Sequence, residues 1–283
     1  MRIGKIGVVV IGLVPFNVIG ECTPAPDCAS IGYTETSCEG DYLACPFDST
    51  KLKCTPCDSS FRYDCSGDNI TGGTGSACGG KYVSCECSSS DYIFANGSCI
   101  CDTSCKVGAI YYSDGSCSAC VDNTKTAIGV VVKDNEIVMS NITKNVQWGG
   151  FGTDIETLAN ITTTDDAKED YAGKENTAKI VAHFGEDVDA TLYAGIFCYK
   201  YSIDGTNAQD WYLPAGGELY NYVFVNKSKI LDTFTNKLAW DFSGDLWGSF
   251  EFSNARAWYM GVGGYVGHHD KRWSLNVACF LEI

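Results

Sequence analysis

At 283 residues, with 45% hydrophobic and 12% aromatic side chains, the chain is long enough to bury at least one sizeable core. Its formal charge of -15 repels phosphate backbones and bare anionic membrane surfaces, which excludes nucleic acid as a natural partner. Of its 17 cysteines, 15 lie between Cys22 and Cys120. That density of roughly 15% is well above the ~8–10% that marks a disulfide scaffold, so cross-links rather than a core should hold the N-terminal third.

Residues 1–20 read as a secretory signal peptide: Arg2 and Lys5 lead a short apolar run, Ile6 to Val14, ahead of a cut before Glu21. That run is too short to span ~30 Å of hydrocarbon, which takes ~20 residues, and no other stretch does better, so no transmembrane segment is expected in the mature chain. A lipidated Cys22 is disfavoured by Glu21 in front of it. The expectation is a secreted or surface-attached protein, and the cysteine usage suits that oxidising setting.

Between residues 21 and 106 the spacing repeats. Cys38-Glu-Gly-Asp-Tyr-Leu-Ala-Cys45 matches Cys78-Gly-Gly-Lys-Tyr-Val-Ser-Cys85, each with a cysteine upstream (Cys28, Cys65) and close pairs downstream (Cys54 and Cys57, Cys99 and Cys101). Two tandem modules follow, in a disulfide-stapled stalk of loops and short hairpins whose connectivity spacing alone does not determine. The Cys-x-x-Cys pairs, Cys54/Cys57 and Cys117/Cys120, are read as staples: zinc knuckles bring two such pairs within ~15–20 residues in a reducing cell, and a redox dithiol needs a strand-to-helix setting. Five Asn-x-Ser/Thr sequons (Asn69, Asn96, Asn141, Asn160, Asn226) would carry glycans only in a eukaryotic host.

Composition changes at Val107, and 107–283 reads as a second, α+β domain. Strand-like runs occupy 107–112 and 126–132 around the Asp114-Gly115 turn, with another at 136–140. The acidic cluster Asp165, Asp166, Glu169 and Asp170 lacks the alternating oxygen spacing of a calcium loop and reads as solvated loop or helix start. Helices are expected over 175–184 and 188–201, the second with Val188, Leu192, Gly195, Ile196 and Tyr199 on one side and carrying Cys198. A short extended piece ends at Pro214, which suits a helix's first turn, and a further short helix spans 228–234. Closing strands are expected at 247–252, 257–262, 265–267 and 275–283.

These pieces in this order resemble the C-type-lectin-like fold of exported bacterial proteins, of the type first noted at the C-terminus of collagen-like Legionella proteins. The likeness rests on Tyr112 to Cys117, Ile128-Gly129-Val130-Val131, then Asp170, Gly173, Asn176 and Thr177. It continues with Trp211-Tyr212-Leu213-Pro214-Ala215, Glu218-Leu219, Trp247-x-Ser249-x-Glu251, Ala257-Trp258 and Lys271. The resemblance implies a disulfide between Cys198 and Cys279, with two buried free thiols as the alternative. It further implies kinship with variable proteins of diversity-generating retroelements, whose closing strands carry ligand contacts between fixed frame residues. Frame residues would be Trp247, Ser249, Glu251, Ala257, Trp258, Val266, Lys271 and Val277. The ligand-binding set would be Asn254, Arg256, Tyr259, Tyr265, His268, His269, Asp270, Arg272, Trp273 and Asn276, interspersed with Gly261, Gly263 and Gly267.

Formylglycine-generating enzymes share that fold family and use a cysteine pair with copper, so an oxidoreductase using Cys198 and Cys279 is the competing reading. Their Trp- and Arg-rich signature is missing. His268 and His269 are adjacent on a strand, hence on opposite faces and unsuited to one metal. Glu251 reads as a satisfied structural carboxylate, and the calcium-binding tripeptides of animal lectins do not occur. The expectation is therefore no cofactor, no metal and no enzyme activity, but calcium-independent binding of a protein or glycan ligand. A purely structural envelope or appendage protein is the remaining alternative.

Overall fold

The computed structural model describes residues 27–36, 42–46, 48–54, 65, 67–74, 84–95 and 97–283. The proposed signal peptide, the first cysteine of each repeated motif (Cys38, Cys78), Cys22, Cys57 and Asn96 lie outside these residues. The chain separates into two compact units, one ending at Glu86 and the other Cys87–Ile283.

In the first unit the strands are short. β1 (Tyr42–Cys45) pairs antiparallel with β2 (Asp48–Cys54), and β3 (Ile70–Thr74) lies beside β4 (Ser84–Cys87). Each repeat joins its upstream cysteine to the second cysteine of its motif, Cys28 to Cys45 and Cys65 to Cys85. With little apolar surface to bury, such modules depend on loop closure for stability.

The second unit opens with a hairpin, β5 (Tyr92–Ala95) and β6 (Ser98–Cys101), stapled by Cys87–Cys99 and Cys101–Cys120. Cys117 bonds Cys105, so Cys117 and Cys120 serve different staples. Next come β7 (Ile110–Tyr112), β8 (Cys117–Ser118), β9 (Ala127–Lys133), β10 (Ile137–Met139) and β11 (Thr143–Gln147). The helical part holds α1 (Thr164–Lys168), α2 (Gly173–Phe184) and α3 (Ala194–Lys200). After β12 (Trp211–Tyr212) the chain winds through α4 (Gly216–Glu218) into the wider turns of Leu219–Phe224, then through α5 (Lys227–Asp232). β13 (Asp245–Ser253), β14 (Arg256–Gly261), β15 (Val266–Asp270), β16 (Ser274–Val277) and β17 (Phe280–Glu282) close it.

Two sheets result, a six-stranded one in the order β12-β17-β10-β9-β7-β8 and a five-stranded one in the order β11-β16-β13-β14-β15. Among their named pairings only β13 with β16 is parallel. The unbroken apolar run of β9 is buried on both faces, as a central strand requires. Val131 and Val138 pack with Ile180 of α2 and Cys198 of α3, while Val130, Val132 and Met139 meet Leu219, Val223, Ile230 and Phe234. Gly129 is needed there, because a Cβ would run into Val138.

Three expectations are corrected. The helix expected over 188–201 begins only at Ala194: Tyr193 is extended, its ring held where a Cβ on Gly149 would collide with it, and Ala194 donates to the Trp148 carbonyl. The strand expected over 275–283 is two strands in different sheets, β16 pairing with β11 and β17 with β10 and β12. The strand expected over 265–267 runs on to Asp270, because five consecutive residues of β15 keep register with β14.

Candidate functional site

The five-stranded sheet carries the frame. Trp247, Ser249, Glu251, Ala257, Lys271 and Val277 are wholly buried and Trp258 nearly so, while Val266 is half-buried. Three indole N–H groups tie the sheet together and to its loops: Trp148 donates to the Gly248 carbonyl (2.8 Å), Trp247 to that of Val146 on β11 (2.9 Å) and Trp258 to that of Ile161 (2.7 Å). A buried aromatic of this size positions a strand only when its polar atom is satisfied, as here.

At its centre lies an ion pair with no solvent contact, Lys271 with Glu251. Lys271 Nζ also donates to the Thr153 carbonyl (3.0 Å) and sits 4.6 Å from the Trp148 ring centroid; Glu251 Oε2 accepts the Ile155 N–H (3.1 Å). Burial pushes the Glu251 carboxyl up and the Lys271 ammonium down, and their mutual contact opposes both shifts. Lys271 starts the turn after β15; its N–H bonds the Ala255 carbonyl and its carbonyl accepts from Gly149. Arg272 and Trp273 are thereby presented from an anchored backbone.

Several residues separated in sequence meet in a second buried network. Asn176 donates to Asp170 (3.0 Å) and Ser249 (3.3 Å), Thr177 accepts the Leu213 N–H (2.9 Å), and Ser249 N–H bonds the Pro214 carbonyl (2.9 Å). Glu218 accepts the Ala215 N–H (2.7 Å), capping α4, and the Tyr212 hydroxyl (3.0 Å). Burial raises its carboxyl to about 7.

On this scaffold the expected contact residues divide between the two faces of the sheet. One face carries a ladder of rings. Tyr259 stacks on His269 (centroids 5.0 Å apart, 21°), His269 stacks on Trp273 (4.4 Å, 14°), and Tyr265 meets Tyr259 edge-on (5.9 Å). Trp273 and Tyr265 are each 55% exposed. The Tyr265 hydroxyl donates to Asp245, and that bond to a carboxylate pushes its pKa up to about 12. His268 belongs to the other face, where it stacks on Phe252 (3.8 Å, 25°) and meets Trp258 edge-on. Burial, with Arg256 nearby, lowers its pKa.

At the end of β15, on the His268 side by alternation, Asp270 accepts from Arg272 Nη2 (2.7 Å) and Nε (3.1 Å), which holds its carboxyl below the usual range. Arg272 lies 3.8 Å from the Phe151 ring centroid, and Arg256 pairs in register with Asp270. Asn254 is exposed in the neighbouring turn, its carbonyl bonded by Gly152. Asn276 instead donates to the Ser243 carbonyl (2.8 Å) and supports a turn. The candidate ring face thus comprises Tyr259, Tyr265, His269 and Trp273, with Arg272 next to it on the turn; Arg256 and Asp270, the register pair two residues from Trp258 and His268, share the His268 face, and Asn276 supports a turn. Phe151 and Asp245 join the site unannounced by any sequence signal, since each arrives from a separate loop or strand start.

Cys198 and Cys279 form a disulfide between α3 and the crossing from β16 to β17, and both are completely buried. Among the described residues no group of three metal-ligating side chains converges, and no helix is long and apolar enough to cross a membrane. No family model matches the chain, and no curated protein does. Among solved structures, a fimbrial protein from Bacteroides ovatus is similar at 17% identity and a TM-score of 0.45, over 63% of this chain and 49% of that one. The chain thus spans about half the length of that protein. What the fold and site define is a mixed α/β, mostly sheet, disulfide-rich chain whose five-stranded sheet carries an exposed ladder of rings, with a guanidinium on the adjoining turn.

Proposed function

We propose that the chain is an exported or surface-displayed binding protein whose domain over 107–283 is C-type-lectin-like and recognises a protein or glycan ligand by non-covalent contact. In this reading residues 21–106 are the stalk, no calcium is used, and no bond is made or broken. The observation that carries it is the Tyr259–His269–Trp273 stack ending in an exposed indole, beside Arg272 on Phe151, all set on a buried frame. Rings and a pre-oriented guanidinium offer large contact area with little rotamer entropy left to lose, which is the composition of energetically dominant interface residues. Also in support, the residues that suggested the lectin-like fold, among them Asp170, Asn176, Leu213, Glu218 and Ser249, meet in one buried network. Pairing of Cys198 with Cys279 favours binding over thiol chemistry.

The test is a screen of the full chain against glycan and protein arrays, with Arg272→Ala and Trp273→Ala alongside the parent. Both variants should lose binding to each ligand found while melting like the parent. Unchanged binding to every ligand would remove the face from the proposal. Diversification of the face has its own test in the neighbouring DNA: a near-copy of the coding segment for 247–283, differing at template adenines and lying beside a reverse transcriptase gene.

A further inference from the structure

Away from the five-stranded sheet, a cavity of about 360 Å3 opens beside β10, β17 and α4. Its walls are Tyr171, Tyr212 and Tyr222 together with Glu136, Glu218 and Glu282, and Lys133 stands at the same opening. Tyr171 and Tyr222 pack with ring centroids 6.0 Å apart, tilted by 43°. Glu218 is 95% buried and Tyr212 fixes its carboxyl from one side; Glu282 and Glu136 are exposed and bridge to Lys174 and Lys133.

Aromatic faces carry negative potential, and the exposed carboxylates of Glu136 and Glu282 accept N–H donors, so both kinds of wall favour a cation and disfavour an anion; Glu218, its two oxygens already taken by Tyr212 and Ala215, closes the wall without serving as a ligand. The molecule itself illustrates that preference: Lys133 leaves its ammonium 5.1 Å from the Tyr222 ring centroid. The volume suits a ligand at the small end of the usual ~300–1,000 Å3 range for small-molecule sites. We propose that this cavity is an ammonium-binding cage, taking a small alkylammonium ion or the ammonium end of a lysine side chain. Lys133 is then a resident competitor at the rim, and Tyr222 the ring that both cations seek.

The test is calorimetric titration of the full chain with n-butylammonium chloride, tetramethylammonium chloride and sodium butyrate at one ionic strength. Both ammonium ions should bind at millimolar concentration and butyrate should not. Tyr222→Leu should weaken ammonium binding by about fivefold, the scale of one cation–π contact. Glu282→Gln, a surface change with little risk to folding, should weaken it too, while Lys133→Met should tighten it by removing the competitor. N-acetyl-lysine methylamide separates the two sources: affinity equal to butylammonium assigns the cage to protein lysines, and binding of the free amines alone assigns it to small molecules. Three results would overturn the proposal: absence of ammonium binding, preference for butyrate, or ammonium binding that Tyr222→Leu and Glu282→Gln leave unchanged.

Discussion

Replacing Lys271 by Met removes a charge from the centre of the frame while keeping the length of its apolar stem. Glu251, which has no solvent contact, would keep only the Ile155 N–H as a partner on its carboxylate. The Thr153 carbonyl would lose its donor and the Trp148 ring its cation. Removing one member of a fully buried pair costs about 3–5 kcal/mol, because the orphaned charge is neither hydrated nor paired. Glu251→Gln should cost a similar amount by orphaning the ammonium. The double variant, Glu251→Gln with Lys271→Met, leaves no uncompensated charge, so it should lie well below the sum of the singles, with a coupling of at least about 2 kcal/mol. Urea unfolding of the disulfide-intact chain, followed by tryptophan fluorescence, measures all three. A loss under about 1 kcal/mol for Lys271→Met, or additive singles, would refute the argument that this pair holds the turn carrying Arg272 and Trp273.

Two further outcomes follow from buried groups. The Glu218 carboxyl rises from 4.5 to about 7 on folding, chiefly through burial, so the folded state holds its proton more tightly. That contribution is complete below pH 4.5 and is lost as pH rises through about 7. Its size is about 3 kcal/mol at ~1.4 kcal/mol per unit, and Glu218→Gln should flatten that stretch of the stability-against-pH curve; an unchanged curve contradicts the assignment. The Cys198–Cys279 bridge closes a loop of 81 residues, and replacing both by Ala should cost about 4 kcal/mol in a thermal melt under oxidising conditions. Titration of the unreduced chain should find no reactive thiol at either position; two such thiols would return the cysteine pair to the enzyme reading.

Much of the architecture is legible locally. The run Ile128 to Val132 announces a strand buried on both faces, and the aromatic and small residues of 247–262 announce the two long strands of the second sheet. The frame residues Trp247, Glu251, Ala257, Trp258 and Lys271 are recognisable by their place in a familiar pattern, and burial agrees with their being interior. Less of the site is legible. Alternation along β15 predicts that His268 and His269 point to opposite faces. It does not say which of them joins Trp273, because that depends on which side of the sheet is covered by α1 and Ile161.

By itself the sequence determined that this is a disulfide-rich chain with a β-rich second domain, because cysteine density and apolar periodicity are local properties. It determined the repeat in 21–106, though not the Cys28–Cys45 and Cys65–Cys85 pairings, since loop closure has similar cost for many partners. Only tertiary structure decided that the final segment changes sheets between Val277 and Phe280. At that crossing Ser140 exchanges two hydrogen bonds with the Cys279 backbone, and Cys198 pins its side chain. Only tertiary structure, too, brought Phe151 under Arg272 and Asp245 to Tyr265. Those contacts arise from sheet register and loop packing over long sequence separations, and nothing in a local pattern encodes register between strands far apart in the chain.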